Sequence, residues 1–197
     1  MLLAGSDSPM SPMKAHDLFN LVVTSLLAVG TCAASTVTAW NAPLAMIMCI
    51  YLIADSFWLI VRPEIAGGQA GGGAFTLLVH HAAAFVVAFH ALSWAPHTPY
   101  TCQMTVIEMN TFILMVERQL PAGARVTDVV HKLFVGSWVV TRLLWFPFLA
   151  VKLSLLNTYP SLLVQLACAG AMLVLTLQQL VWTWNFCVPA HRQIPLR

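Results

Sequence analysis

Residues 44–61 read LAMIMCIYLIADSFWLIV, and this stretch decides the fold class of the chain. It is long enough to cross the hydrocarbon core of a bilayer, which takes about 20 predominantly apolar residues in a helix. Its one charged residue is Asp55, and the pair Arg62-Pro63 ends the run. We therefore predict a transmembrane helix that carries a carboxylate inside the membrane.

Five further apolar runs of similar length occur along the chain. Hydrophobic residues make up 59% of the 197 and charged residues only 8%, whereas soluble domains carry about 25% charged residues. So few charges cannot cover a water-exposed surface of this size, so lipid must be the solvent for most of it. The sequence therefore predicts an all-α polytopic membrane protein of about six transmembrane helices. The other runs are 18–40, 75–94, 100–116, 129–151 and 162–188.

The basic residues predict how these helices are oriented. We expect one membrane domain, residues 18–188, between an N-terminal tail (1–17) and a C-terminal tail (189–197). With six spans, one side of the membrane receives nearly all basic residues and the other side receives Lys152 alone. By the positive-inside rule, both tails are then cytosolic. The formal net charge of +2 indicates no nucleic-acid surface. The basic residues on the predicted cytosolic side are Lys14, Arg62, Arg118, Arg125, Arg192 and Arg197.

Three charged residues lie inside predicted helices: Asp55, Glu108 and Arg142. Each ionised side chain near the bilayer centre costs about 2.5–3.5 kcal/mol on insertion scales. They must therefore face the interior of the bundle, pair with one another or lose their charge, and intramembrane charges are by default functional. For Glu108 and Arg142, a buried ion pair that fixes helix register is an equally good interpretation.

The adjacent histidines His80 and His81 lie at the same predicted depth as Asp55, roughly 8–10 Å from the cytosolic boundary at 1.5 Å per residue. A carboxylate that orients an imidazole is a common arrangement for a general base or nucleophile. Successive helical residues point about 100° apart, so at most one of the two histidines is expected to be catalytic. Structural pairing alone is the competing interpretation. Tyr51 precedes Asp55 by one turn and shares its face.

Other polar and aromatic residues have simpler expected roles. His16 is expected at the membrane interface, and Trp182 and Trp184 as interfacial belt residues. Pro147 is expected to kink the fifth helix. No metal site is predicted, because two adjacent histidines lack the spacings that di-iron membrane oxygenases use and no further histidine-rich motif supplies ligands.

The order of these motifs resembles the TLC domain family, the TRAM, Lag and CLN group. In that family an aspartate-bearing helix precedes a helix with a paired histidine. A helix with a Glu-x-Ser-Thr-Pro-Phe-type motif follows, and then a helix with an arginine and a later proline. The resemblance covers about residues 20–190. It rests on Tyr51 and Asp55, His80-His81, Glu108-Met-Asn110-Thr111-Phe112, Arg142 with Pro147, and the closing helix with Gln179 to Trp184.

The chain departs from the ceramide synthases of that family. Those enzymes follow the histidine pair with a long polar signature, whereas here the pair leads into Ala82-Ala-Ala-Phe-Val-Val-Ala. The serine and proline of the glutamate motif are also missing. The sequence therefore indicates a compact TLC protein without the ceramide synthase signature.

The resemblance implies a six-helix barrel, open to the cytosol, around a cavity that holds an acyl chain. It also implies residence in the endoplasmic reticulum or another endomembrane. The catalytic candidates are His80, His81 and Asp55. In ceramide synthases a histidine of the pair carries the acyl group from acyl-CoA to an amine. The candidates for lipid-binding or structural polar residues are Tyr51, Glu108, Asn110, Thr111 and Arg142.

Three functions remain open at this stage. The first is lipid homeostasis, by binding, sensing or trafficking of membrane lipids or fatty acyl chains. The second is an acyltransferase that takes acyl-CoA as substrate, and neither of these readings implies a bound cofactor. The third is a small transporter or channel, which predicts a polar helix face through the whole membrane depth. A homodimer is a further expectation.

Overall fold

The computed structural model describes residues 11–68, 73–121, 123–155 and 158–187 of the chain. In this part, six long helical elements follow one another, and we call them spans 1 to 6. Short 3₁₀ turns lie between several of them, for example Thr38–Trp40 and Ala95–His97. The spans are Pro12–Thr36, Asn41–Val61, Gly73–Ser93, Pro99–Gln119, Arg125–Ser154 and Leu162–Cys187.

Five of the six spans are long and apolar enough to cross a membrane. The exception is span 4, which the sequence already indicates as the least apolar run. Its polar side chains point inward, and Thr105 and Asn110 are fully buried. Large apolar side chains such as Leu26, Ile53 and Phe57 are instead exposed on the outside of the bundle. This inside-out distribution is the one that a lipid solvent favours, and it agrees with an all-α integral membrane protein.

The spans form a closed ring. Span 1 packs on spans 4 and 2, span 2 packs on span 3, and span 3 packs on span 6. The second half of span 5 packs on span 6, and its first half packs on span 4. Following these contacts gives the order 1, 2, 3, 6, 5, 4 and back to 1, which is the predicted bundle or barrel. Polar side chains that point inward from several spans therefore meet in one interior.

Span 1 begins earlier than the apolar run predicts. Ser11 caps the helix by accepting a hydrogen bond from the Lys14 amide, and Pro12 occupies its first turn, where a missing N–H costs nothing. The helix therefore starts six residues before position 18, and part of the predicted tail 1–17 is helical. The predicted tail 189–197 lies outside the described residues.

Span 5 changes its helical geometry in the middle. It is α-helical over Arg125–Trp138, π-helical over Val139–Trp145 and α-helical again over Phe146–Ser154. The Phe146 N–H bonds to the Thr141 carbonyl, five residues earlier. Pro147 has no N–H to offer and would clash with the carbonyl four residues before it, so the wider turn accommodates it. At Pro147, where the sequence predicts a kink, the structure therefore has a π-helical segment directly before the proline.

Candidate functional site

The interior of the ring holds a cavity of about 370 Å³. Its lining includes Gly73 at the start of span 3, Arg118 near the end of span 4 and Phe186 near the end of span 6. These positions share one end of the bundle, the end at which odd-numbered spans begin and even-numbered spans end. The sequence analysis predicts this end to be cytosolic. The polar residues that line the cavity are His16, Asn20, Tyr51, Asp55, His80, His81, Glu108, Thr111 and Arg142.

Asp55 bridges two histidines from different spans. Its Oδ1 atom lies 2.6 Å from the Nε2 atom of His16, and its Oδ2 atom lies 3.3 Å from the Nε2 atom of His81. The Nδ1 atom of His81 lies 3.2 Å from the Ser56 hydroxyl. Because the carboxylate only accepts, His16 donates to it from Nε2, whereas His81 lies within ion-pair distance of it. The predicted pairing of Asp55 with the His80-His81 motif thus falls on His81, which is buried.

His16, which the sequence predicts at the membrane interface, is buried in this site with 3% of its surface exposed. The early start of span 1 carries it inside the bundle. The Asn20 amide nitrogen lies 3.2 Å from the Nε2 atom and 3.3 Å from the Nδ1 atom of its ring, and the Tyr51 hydroxyl donates to the Asn20 side-chain oxygen over 3.1 Å. The Trp58 ring packs edge-on against the imidazole, with centroids 5.6 Å apart. Tyr51, Asn20, His16 and Asp55 therefore form one hydrogen-bonded cluster.

His80 has different neighbours and faces the cavity. Its Nδ1 atom lies 3.1 Å from the side-chain oxygen of Gln178, whose amide nitrogen donates to the Thr76 carbonyl over 3.0 Å. Because that carbonyl can only accept, the amide oxygen of Gln178 must face His80, so Nδ1 carries the proton. The Nε2 lone pair of His80 is then available to a ligand. Trp182, predicted as a belt residue, packs on His80 instead, with ring centroids 4.9 Å apart.

Arg142 reaches the cavity from the π-helical segment of span 5. Its Nε donates to Asn110 over 2.9 Å, and its two terminal nitrogens donate to Thr111 over 2.8 Å and to Gln179 over 2.9 Å. The guanidinium also lies over the Trp138 ring, 4.7 Å from its centroid. Spans 4, 5 and 6 are tied together by this one side chain, which is buried.

The structure contradicts a direct ion pair between Glu108 and Arg142. Both residues line the cavity, but no salt bridge joins them among the residues that the structure describes. The acceptors around Arg142 are neutral amide and hydroxyl oxygens. Arg142 therefore fixes the register of its helices through neutral partners, and Glu108 stays a separate, half-buried acid at the cavity wall.

A second cavity of about 40 Å³, which we call the extension, adjoins the main cavity. His80 and Glu108 line both. The main cavity combines ionisable side chains with apolar ones such as Leu77, whereas the wall of the extension is mostly apolar, and this polarity profile suits an amphipathic ligand. The apolar side chains of the extension are Met48, Ala84, Ala88, Met104, Ile107, Phe146 and Leu175.

Sequence reasoning missed His16, Asn20, Gln178 and Trp138 at this site. A signal for the first two was present, because His16, Asn20 and Thr24 recur every four residues and so form a polar stripe on an otherwise apolar helix. All three are buried. Within the described ranges, no group of three histidine, cysteine, aspartate or glutamate side chains is placed to hold a metal ion.

The comparison with known proteins agrees with the motif order. No curated protein and no solved structure matches the chain. The family model of the TLC domain, the TRAM, Lag and CLN group, matches residues 15–188. This match covers spans 2 to 6, all of span 1 except its first three residues, and every residue of the cavity described above. The chain therefore belongs to the TLC domain family.

Proposed function

We propose that this TLC protein acts in lipid homeostasis by binding one amphipathic membrane lipid in its interior cavity. The observation that carries the proposal is a cavity with ionisable side chains in its wall that adjoins a mostly apolar extension within the ring of spans. Binding could serve sensing or trafficking of the lipid. The ligand would be a membrane lipid or a fatty acyl chain, with its polar group among the buried side chains.

The distribution of polar residues supports lipid binding over transport. A transporter or channel needs polar groups through the whole membrane depth. Here the charged side chains of the interior, Asp55, Glu108 and Arg142, line the main cavity. Apolar side chains such as Ala88, Ile107 and Leu175 line the extension. This uneven distribution of charge favours holding a hydrocarbon chain over passing a charged solute.

The second candidate is acyl transfer from acyl-CoA, and the protonation state of His80 favours it. Its Nε2 lone pair faces the cavity while Gln178 holds its Nδ1–H. In this reaction Nε2 attacks the thioester carbonyl, the C–S bond breaks, and the thiolate of coenzyme A leaves. The acylated imidazole loses its Nδ1 proton, and the thiolate takes up one proton to become the free thiol, so the products are a neutral N-acylimidazole and coenzyme A. The acyl group then rests on the imidazole until an acceptor takes it. His81 is a poorer nucleophile because its Nδ1 atom is hydrogen-bonded to Ser56 and its Nε2 atom lies against the Asp55 carboxylate.

The site of action is also part of the proposal. We place the protein in the endoplasmic reticulum or another endomembrane, with both termini and the wide end of the cavity toward the cytosol. The basic residues near that end support this orientation by the positive-inside rule. Coupling of a reporter tag at each terminus to selective permeabilisation of cells tests it, and a terminus that is protected from the cytosol contradicts it.

Lipid occupancy of the cavity is the direct test of the first proposal. Leu77 lines the cavity, whereas Val86 on the same span is 40% exposed on the outer face. We expect native mass spectrometry of the detergent-purified chain to detect a bound lipid. Leu77→Trp should fill the cavity and abolish occupancy, and the matched Val86→Trp variant should retain it. Equal occupancy in the two variants, or none in the wild type, argues against lipid binding in this cavity.

Acyl transfer is tested by intact-protein mass spectrometry after incubation with a long-chain acyl-CoA. We expect a mass increase of one acyl group in the wild type and in His81→Ala, if that variant folds, and no increase in His80→Ala. The absence of an adduct on the wild type, together with bound lipid, would leave the binding function and remove the enzymatic one.

A further inference from the structure

Arg142 is a buried cation that has no anionic partner in the described part of the chain. Its side chain lies about half-way along the 30-residue span 5, and the residue is 7% exposed. A guanidinium inside a membrane is costly unless an anion or several acceptors compensate its charge. All of its hydrogen-bond acceptors, Asn110, Thr111 and Gln179, are neutral. Glu108 acts on this charge electrostatically from beyond salt-bridge distance, so the groups that directly contact the guanidinium are all neutral.

The guanidinium also keeps hydrogen-bonding capacity in reserve. It has five N–H donors, and three bonds use one donor each. Two donors, one on each terminal nitrogen, have no acceptor within the part of the chain that the structure describes. The two terminal nitrogens form the fork that binds carboxylate and phosphate groups in a bidentate manner. Because Arg142 lines the main cavity, these donors are available to a ligand there.

The helix geometry around Arg142 also favours a ligand-binding role for this residue. Arg142 lies within the π-helical segment Val139–Trp145, and single π turns inside α-helices are frequent at functional sites. The Trp138 ring covers one face of the guanidinium, which limits its motion without using an N–H donor. A residue that only tied spans 4, 5 and 6 together would account for the three neutral bonds but not for the unused donors.

We propose that Arg142 is the receptor for the anionic headgroup of the lipid, a carboxylate or a phosphate. This inference rests on the proposed lipid-binding function and names the class of its ligand, an anionic amphiphile. The headgroup accepts hydrogen bonds from the two unused donors, and the hydrocarbon chain occupies the remaining apolar wall and the extension. Gln179 lines that extension and is bonded to Arg142, so the headgroup site and the apolar pocket adjoin.

Glu108 acts against the anion in this arrangement. It lines the same cavity and is not paired with Arg142. An ionised carboxylate at this position repels a second anion, and the repulsion is strong at low dielectric. Replacing Glu108 by glutamine removes that charge and keeps the shape, so it should strengthen binding of an anionic lipid and leave binding of a neutral one unchanged.

The test measures equilibrium binding of radiolabelled oleate, oleyl alcohol and oleoyl-lysophosphatidic acid to the full chain in detergent. These probes share one hydrocarbon chain and differ in the headgroup. We expect the wild type to bind at least one anionic probe roughly tenfold or more tightly than the alcohol, as a charge-assisted hydrogen-bonded pair requires. Tighter binding of oleate identifies a carboxylate site, and tighter binding of the lysophosphatidic acid identifies a phosphate site.

Variants locate the effect at Arg142. Arg142→Met should remove the preference for the anionic probe while binding of oleyl alcohol stays within about threefold, and Arg142→Lys should retain part of it. Lys152→Met, at the far end of the same span, should behave as the wild type. Glu108→Gln should tighten binding of the anion alone. This last comparison needs no change at Arg142 and so remains decisive if Arg142→Met does not fold.

Two outcomes overturn the inference in different ways. If the wild type binds oleyl alcohol as tightly as both anionic probes, Arg142 is not a headgroup receptor, although the cavity still binds lipid. If the wild type binds none of the probes, the proposed lipid-binding function fails together with the inference.

Discussion

The Oδ1 atom of Asp55 lies 2.6 Å from the Nε2 atom of His16, a residue 39 positions earlier in the chain. This contact joins span 1 to span 2 inside the cavity, and the other carboxylate oxygen holds His81 of span 3. One carboxylate therefore links three of the six spans. The Asp55 charge would be costly inside the membrane without a partner, and the two imidazole rings beside it compensate it, as intramembrane charges require.

Asp55→Ala should destabilise the protein by about 1–3 kcal/mol, because it leaves the buried His16 N–H without its acceptor and removes the carboxylate that His81 contacts. A single hydrogen bond between membrane helices contributes about 0.6 kcal/mol on average, so we expect the loss of stability to lie toward the lower end of this range. The measurement is denaturant unfolding in detergent. Ile53→Ala on the same span, where the side chain is 58% exposed, is the control and should change stability less. Equal effects of the two substitutions would contradict a structural role of Asp55.

The two adjacent histidines should differ in what they contribute to stability. His81→Ala removes the hydrogen bond to Ser56 and the ion-pair contact with Asp55, so we expect a loss of about 1–2 kcal/mol. His80→Ala removes one bond to Gln178 and one ring contact with Trp182, and its imidazole borders open space. Its loss should be smaller, below about 1 kcal/mol. Thermal unfolding of the two single variants, side by side, measures the difference. A larger loss for His80→Ala would reverse the assignment of roles.

Asn110 should be among the most sensitive positions of span 4. It is completely buried, donates to the Phe134 carbonyl and the Ser137 hydroxyl, and accepts from Arg142. Asn110→Leu keeps the branched shape of the side chain but leaves Arg142 with one bond fewer, so we expect a loss of about 1–3 kcal/mol. Met109, its neighbour, is 38% exposed, and Met109→Leu should be nearly neutral. Denaturant unfolding of both variants tests this, and a neutral Asn110→Leu would exclude a role in joining spans 4 and 5.

The sequence predicted the fold class and part of the site because both follow from solvent preference. Apolar runs of bilayer length indicate the spans, and the cost of a buried charge identifies Asp55 and Arg142 as inward-facing. The identity of each partner does not follow from that cost. Whether Arg142 bonds to Glu108 or to Asn110 depends on the π-helical segment, which rotates the residues around it and which no propensity rule places at Val139–Trp145.

His16 illustrates a different limit. An apolar-run criterion starts the first helix at position 18, because the preceding residues are polar. Because Ser11 caps the helix and Pro12 fits its first turn, the helix begins before position 18. His16 therefore lies on a helix, and it is buried and hydrogen-bonded to Asp55. Capping rules could have found the helix start, whereas the pairing of His16 with span 2 needed the packing of the ring.

A second histidine pair, at the other end of the bundle, should make stability depend on pH. His97 lies between spans 3 and 4, is 2% exposed, and contacts His90 over 2.8 Å and the Thr158 hydroxyl over 2.7 Å. Burial lowers the pKa of His97 below its usual value of about 6.5. The Tyr159 ring packs against both histidines, and burial raises the pKa of Tyr159 to about 12, so this phenol stays neutral.

The lowered pKa of His97 determines whether stability rises or falls with pH. Between that pKa and about 6.5 the unfolded chain binds more protons than the folded one, so stability rises with pH there. The contribution of His97 is complete above about pH 6.5 and is lost as the pH falls below it. We expect a lower thermal unfolding midpoint at pH 5.5 than at pH 7.5. The difference should shrink in His97→Gln, which cannot titrate, and persist in the control variant His131→Gln at an exposed site. An unchanged pH dependence in His97→Gln would mean that the buried imidazole is not the group that titrates.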